Sequence, residues 1–463
     1  MNRHKLMLAV LLSLCAGAAA VVTVEDFESW NGGGTAVTDP ENASNTVLAL
    51  APGQAVEIDL PGTVGVVTMD IYDFGEAAVN PTTAYGPRWG ILGSDAAQNP
   101  LSVAASILYK TWINGSTGYA MGPETSQAGS WWSPSFFGGP RQCTLETWVG
   151  GQDQNNGSGA WTTWSFRVQA DGTAEIIAPF GVGGQTVKNA WYDASPMAMA
   201  NLAKAWFSGG RSGVAVGPVA SGAYAGYGVL VDNVTFEGFD CTQPDYVDDF
   251  DPGWTAAAHN WRVATWMQNG TQMSADRCAP DGLGHLVQTV LAGTPYRGGS
   301  MQSRVEYPYG RWVARVKPSS VAGVLNSMFT VDWDDMTTPG DDSDGTGFEV
   351  DIELLTYTFG AGSGEVHVAV HQGGSCVFYD DIELDFNPSD AYHDWGFDLY
   401  ADRIDWHVDG RIFCTYANQA AEDFPTNYEM FFNSWTRDTW IMGPPAQNAL
   451  YYLDWAKFYP LVD

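Results

Sequence analysis

The sequence predicts an all-β protein built as two β-sandwiches in tandem, and three observations carry that prediction. Short runs alternate apolar and polar residues, the period of a strand with one face buried. Turn formers interrupt those runs throughout, with 53 Gly and 24 Pro among 463 residues. The second half of the chain also opens and closes on segments that echo those of the first.

The elements follow in chain order. Asn2-Arg3-His4-Lys5 is a basic start, Leu6 to Leu14 a short apolar core, and Ala16 to Ala20 a run of small residues suited to cleavage. Residues 1–20 therefore read as a signal peptide, too short for a bilayer that needs about 20 apolar residues. A secreted protein with no membrane attachment after cleavage is expected. Val64 to Tyr72 and Gly310 to Lys317 alternate as strands. Met197 to Phe207 is the best helix candidate. Ile404 to Val408, then Asp409-Gly410, then Arg411 to Phe413 reads as a tight hairpin, because Asp-Gly suits the left-handed turn positions. Val24-Glu-Asp-Phe-Glu28 recurs as Val247-Asp-Asp-Phe-Asp251, and Gly228 to Phe236 has a counterpart in Tyr452 to Tyr459. First and last strands of a sandwich often lie side by side, so the expected units are residues 21–240 and 241–463.

Composition removes several function classes. The chain carries 53 Asp+Glu against 20 Lys+Arg, a formal charge of −33, yet only 16% of its residues are charged. Basic residues are scarce, and without clusters of them there is no means of releasing counterions from phosphate. Nucleic acid and anionic membrane are excluded as expected partners. Cys143, Cys241, Cys278, Cys376 and Cys414 follow the signal segment without a CxxC pair, so no zinc site is signalled. Pairs such as Cys241–Cys278 or Cys376–Cys414 stay open, with at least one thiol left over. Asp332-Trp-Asp-Asp335 and Asp341-Asp-Ser-Asp344 could offer oxygen ligands to a structural calcium, but their spacing misses an EF-hand loop and suits a solvated acidic loop. No metal site and no cofactor are assigned.

The informative segment is Gly347-Phe-Glu349-Val-Asp351-Ile-Glu353-Leu-Leu355. Side chains alternate across a strand, so three carboxylates share one face while Val350, Ile352 and Leu354 share the other. No Lys or Arg interleaves to relieve the repulsion. One reading is the solvated outer face of an edge strand. The other is glycoside hydrolysis, which needs one protonated carboxyl for the leaving oxygen and one carboxylate for the sugar carbon. Crowding pushes neighbouring carboxyl pKa values apart and supplies both forms at once.

That segment resembles the carboxylate motif of glycoside hydrolase family 16, in its lichenase-like form. The flanks extend the likeness: Tyr309 to Pro318, Gly323 to Thr330, His393 to Tyr400, Asp402 to Gly410, Tyr428 to Trp435 and Leu453 to Tyr459 resemble family blocks in family order. The resemblance implies a concanavalin A-like jelly roll with an open cleft. It implies a retaining, endo-acting enzyme in which Glu349 is the nucleophile, Glu353 the general acid/base and Asp351 the residue that sets their charge. Phe329, His371, Asn433, Trp435 and Trp440 fall where the family lines its cleft. Departures are Ala314 for a Glu, Val331 for an aromatic, His371 for a Tyr, and Ser300 and Gln302 for a Glu and an Arg.

The expected partner is a polysaccharide, with β-1,3/1,4-linked glucan leading and laminarin, xyloglucan or a marine galactan as alternatives, acted on by a monomer. A transglycosylase, or a secreted glycan-binding protein that does not cut, are the competing functions. Trp131, Trp132, Trp148, Trp161, Trp164, Trp191 and Trp206 make the first half either a glycan-binding module or a sandwich with a tryptophan-filled core.

Overall fold

The computed structural model describes residues 22–23, 31–74, 85–98, 100–108, 118–125, 142–143, 147–149, 160–177, 181–182, 185–186, 199–209, 222–333, 345–420, 423–437 and 439–462. Among these the chain is strand and loop, with helical geometry confined to 3₁₀ turns at Ala275–Arg277 and Thr356–Thr358. Four large sheets, antiparallel except where Thr271–Met273 runs parallel to Arg297–Ser303, form two sandwiches. Strands up to Val229–Phe239 build sheets of seven and eight strands, and strands from Tyr246–Asp248 onward build sheets of eight and nine. The repeated openings and closings of the sequence find their cause here. Val22–Thr23 pairs with Val229–Phe239, and Tyr246–Asp248 pairs with Ala449–Pro460, so each half begins beside its own last strand.

The expected helix over Met197 to Phe207 is a strand, Asn201–Ser208, hydrogen-bonded to Ala55–Asp59 on one side and Tyr85–Ser94 on the other. Its Ala and Leu residues favour helix by only a few tenths of a kcal/mol each. Pairing along both edges and burial of Leu202, Ala205, Trp206 and Phe207 outweigh that preference. Trp164 and Trp206 are fully buried, and half-buried Trp161 lies edge-on to Tyr72 at 5.2 Å, so these rings are packing rather than a sugar platform. Trp131, Trp132, Trp191 and the Trp148 side chain lie outside the described residues. The Asp409-Gly410 hairpin forms as expected, both residues adopting positive φ (50° and 83°) between Arg403–Val408 and Arg411–Ala417.

That hairpin also joins the two sandwiches. The Ile412 amide donates to Gln169 Oε1 at 2.8 Å, Arg403 meets Glu237 at 2.7 Å, and the Val462 amide donates to the Gly238 carbonyl at 2.9 Å. A Cβ on Gly410 would stand 2.5 Å from the Asp171 nitrogen, so the turn needs glycine for this approach as well as for its φ. Beneath it, fully buried Arg311 holds Asp398 through two bonds of 2.7 and 2.8 Å.

The proposed cysteine pairs do not form, and Cys241, Cys278, Cys376 and Cys414 are all free thiols. Each is held in a separate setting: Cys241 Sγ accepts from Arg311, while Cys278 donates to the Ser300 carbonyl and Cys376 to that of Phe378.

The echo residue Asp248 anchors the second sandwich. Its buried carboxylate accepts from the indole nitrogens of Trp254 (3.0 Å) and Trp261 (2.8 Å) and from the Phe250 amide (3.0 Å). Removing an acceptor that satisfies several buried donors leaves each of them unpaired. Asp248→Ala is therefore expected to cost on the order of 3–5 kcal/mol, read as a lowered urea midpoint at unchanged slope.

Candidate active site

The carboxylate strand, Glu349–Leu355, is not an edge. It lies inside the nine-stranded sheet between Leu325–Val331 and Gly364–Gln372. Its even-numbered side chains explain why. Val350, Ile352 and Leu354 are buried with Met328, Val368 and Phe432 in the main core. Each such side chain contributes roughly 1.5–3 kcal/mol when taken from water. That apolar face cements the sheet onto its partner, and the Trp406 indole of the opposing sheet donates to the Asp351 carbonyl at 3.0 Å. The entry is fixed by buried Asp332, whose carboxylate accepts from the Thr346 amide (3.0 Å) and hydroxyl. Gly347 follows at φ 65°, where a side chain would be strained. Of the acidic residues that suggested calcium, Asp332 is engaged with Thr346 in this way, and Asp334, Asp335, Asp341, Asp342 and Asp344 lie outside the described residues.

Register then lines up three rows across the other face. Glu353 stands opposite His367 on one neighbour and Ser327 on the other, and Ser327 in turn faces Asn433 and Asn433 faces Ser300. Asp351 follows with Phe329, Phe431 and Gln302 in the next row. Glu349 pairs with Val331 and His371. An open cavity of about 660 Å³ lies over this face, lined in part by Glu349, Phe329, Phe431, Asn433, Trp266 and Trp333.

The electrostatics separate the three carboxyls. Burial raises the pKa of Glu349 above the ordinary glutamate value, while a hydrogen bond from Asp351 acts the other way and favours its ionised form. Asp351 is driven well above the usual aspartate range by burial and by the charges of Glu349 and Glu353. Glu353 is pushed up to about 8, first by burial, then by Glu349 and Asp381. These effects favour the acid form of Asp351, which donates a hydrogen bond to Glu349. The arrangement offers one carboxylate steadied by a neutral acid and, on the same face, one carboxyl still protonated at neutral pH.

The remaining site residues divide by exposure. Phe329 stacks on Phe431 at 4.8 Å, and both edge into the cavity. Asn433 is nearly buried and accepts from the Ser300 hydroxyl. His371 Nε2 stands 3.4 Å from Asp351 Oδ2, and burial followed by the nearby His367 lowers its pKa, keeping it neutral. Trp435 is 4% exposed, packed with Leu325, Leu355 and Ile441, whereas Trp440 beside it is 40% exposed. Of the two rings, Trp440 is the one that meets solvent. Among the departures, Ser300 and Gln302 are wired into the sheet face, Gln302 Oε1 accepting from Arg262 Nε at 3.2 Å. Ala314 is fully buried in the other sheet.

Sequence reading missed Phe431, Trp266, Trp333 and His367. Phe431 was findable, being two residues from Asn433 on the same strand face. His367 was also findable, standing four residues before His371 and therefore on its face.

Residues 250–457 match the family model described as Glycosyl hydrolases family 16. A Beta-glucanase of Bacillus subtilis (strain 168) is 28% identical over 208 residues, spanning 43% of this chain and 80% of that protein. A Beta-glucanase of Brevibacillus brevis is 28% identical over 222 residues, spanning 43% of this chain and 77% of that protein. Among solved structures, the Bacillus licheniformis beta-glucanase is 20% identical with a TM-score of 0.39, covering 47% of this chain and 99% of that one. The C-terminal half of the chain is a glycoside hydrolase domain. Its family is glycosyl hydrolases family 16, to which residues 250–457 belong.

Proposed function

We propose that the C-terminal half hydrolyses internal linkages of a β-glucan with retention at the anomeric carbon. The observation that carries this reading is the charge order along one strand face, in which ionised Glu349, neutral Asp351 and protonated Glu353 succeed one another and Glu349 lines an open cavity. Glu349 attacks the anomeric carbon while Glu353 gives its proton to the glycosidic oxygen, and the bond to the leaving chain breaks. Water then attacks the glycosyl-enzyme, giving its proton to Glu353 and releasing Glu349. Asp351 holds Glu349 in its ionised form between turnovers. Phe329 and Trp440 offer apolar rings to sugar faces, and Asn433 and His371 offer polar edges. The β-glucan follows from the names of the B. subtilis and B. brevis relatives. Export follows from the basic and apolar start of the sequence.

Purified protein incubated with lichenan, laminarin, xyloglucan, agarose and carrageenan tests this. Reducing ends are expected from lichenan or laminarin, with medium-length oligosaccharides early and the β-anomer first by NMR. Cleavage of the galactans alone, or of nothing, would refute the reading.

A further inference from the structure

The geometry assigns to Asp381 and His367 a role behind Glu353, as a pair that positions the acid and holds it in its proton-bearing form. This rests on Glu353 being the general acid/base. The three side chains lie in line across three adjacent strands. Asp381 is on the outer strand Ser375–Leu384, directly opposite His367 on Gly364–Gln372, which is directly opposite Glu353. Asp381 Oδ1 stands 2.5 Å from His367 Nδ1, and His367 Nε2 stands 3.8 Å from Glu353 Oε2. The imidazole cannot swing freely, because Tyr379 stacks on it at 5.7 Å and the edge of Trp440 meets it at 5.8 Å.

The chemistry follows from which nitrogen carries hydrogen. A carboxylate accepts only, so Asp381 takes the Nδ1–H, and in the tautomer with one ring hydrogen this leaves the Nε2 lone pair facing Glu353. Opposite a carboxylate oxygen 3.8 Å away that lone pair is repulsive, and opposite a neutral carboxyl the repulsion is relieved. The acid form of Glu353 is therefore favoured, and the charge on Asp381 adds to the effect. The proton that leaves Glu353 for the glycosidic oxygen is restored by the attacking water, so Asp381 and His367 are positioning residues.

The register that makes this alignment depends on one irregularity. Gln372 pairs with Ser375 across the Gly373-Gly374 turn, but a shift between Val370 and His371 moves every later pair by one residue. Without it, Asp380 would stand opposite His367 and Asp381 would point to the other face of the sheet. The other titratable groups around the line are Glu349 and Asp351 on Glu353's own strand, His371 beside His367, and Glu365, Glu383 and Tyr357 around Asp381. Ser327 and Asn433 face Glu353 from its other side and carry no charge.

The test uses the full chain, comparing His367→Gln, Asp381→Asn and their double variant with the parent on the glucan it cleaves best. Asp381 is half exposed, so its isosteric replacement leaves folding intact. Each single variant is expected to lower kcat with KM within about twofold. Each should also move the alkaline limb of kcat/KM to lower pH by at least about half a unit. The double variant should be no worse than the poorer single one, as for groups acting in series. Unmoved alkaline limbs in both variants, with Glu353→Gln inactive on glucan, would overturn this inference alone. Full glucan turnover by Glu353→Gln would overturn the acid assignment beneath it.

Discussion

Glu349→Gln is expected to abolish turnover of glucan, by at least about 10⁴-fold in kcat, while binding of the polymer persists. The amide keeps the size of the carboxylate and can still hydrogen-bond Asp351, so the cavity lined by Phe329, Phe431 and Trp266 is unchanged. What is lost is the ionised oxygen that forms the glycosyl-enzyme. Two measurements separate these effects: release of reducing ends, and retardation of the protein in gels containing the polymer. A second consequence distinguishes the nucleophile from a residue that merely holds charge. Asp351 loses the carboxylate it donates to, so its own proton is held less tightly and its pKa falls back towards the ordinary range. Turnover within tenfold of the parent would refute the assignment of Glu349, and loss of retardation would show that the site had been disrupted.

The carboxylate strand was legible in the sequence because alternation alone sorts Glu349, Asp351 and Glu353 from Val350, Ile352 and Leu354. Its place inside the sheet was not, because a central strand and an edge strand share that pattern and differ only in what pairs with them. The same limit hid the partners of His367, though its face could be read from its spacing to His371. Its opposition to Glu353 comes from strand pairing, and its contact with Asp381 from a one-residue shift beside two glycines. Neither is a property of local sequence. The closing strand of each half was readable from its echo of the other, since topology puts both beside an opening strand. The segment from Met197 to Phe207 misled for a plain reason: Ala, Leu and Met favour helix weakly, whereas two flanking strands and a buried Trp206 decide the outcome. Cysteines behind an expected signal segment suggest pairing by composition, but geometry gave Cys241 and Cys278 different partners.

Replacing the acid should produce a different signature from replacing the nucleophile. Glu353→Ala is expected to lower hydrolysis of glucan by about 10²–10⁴-fold, yet to spare formation of the glycosyl-enzyme from a dinitrophenyl β-glycoside, whose leaving group departs without a proton. Added azide should then restore release of the enzyme and yield a β-glycosyl azide, since a small anion needs no general base. The pH dependence gives the same assignment independently. Glu353 must be protonated to act, and its pKa is pushed up to about 8, so the parent's kcat/KM should fall as pH rises through about 8. Glu349 must be ionised, and its pKa lies above the ordinary glutamate value, so activity should also fall on the acid side. With the dinitrophenyl substrate the alkaline limb should disappear from the variant while the acid limb stays. Stability must follow the same group. A carboxyl whose folded pKa exceeds its unfolded one favours the fold at low pH, and that advantage is lost as pH rises through the folded value. Thermal unfolding of the parent should therefore weaken between about pH 4 and 8 more steeply than that of Glu353→Gln, which has no proton to lose there. Equal slopes for the two proteins would mean that Glu353 is not held as an acid by the fold.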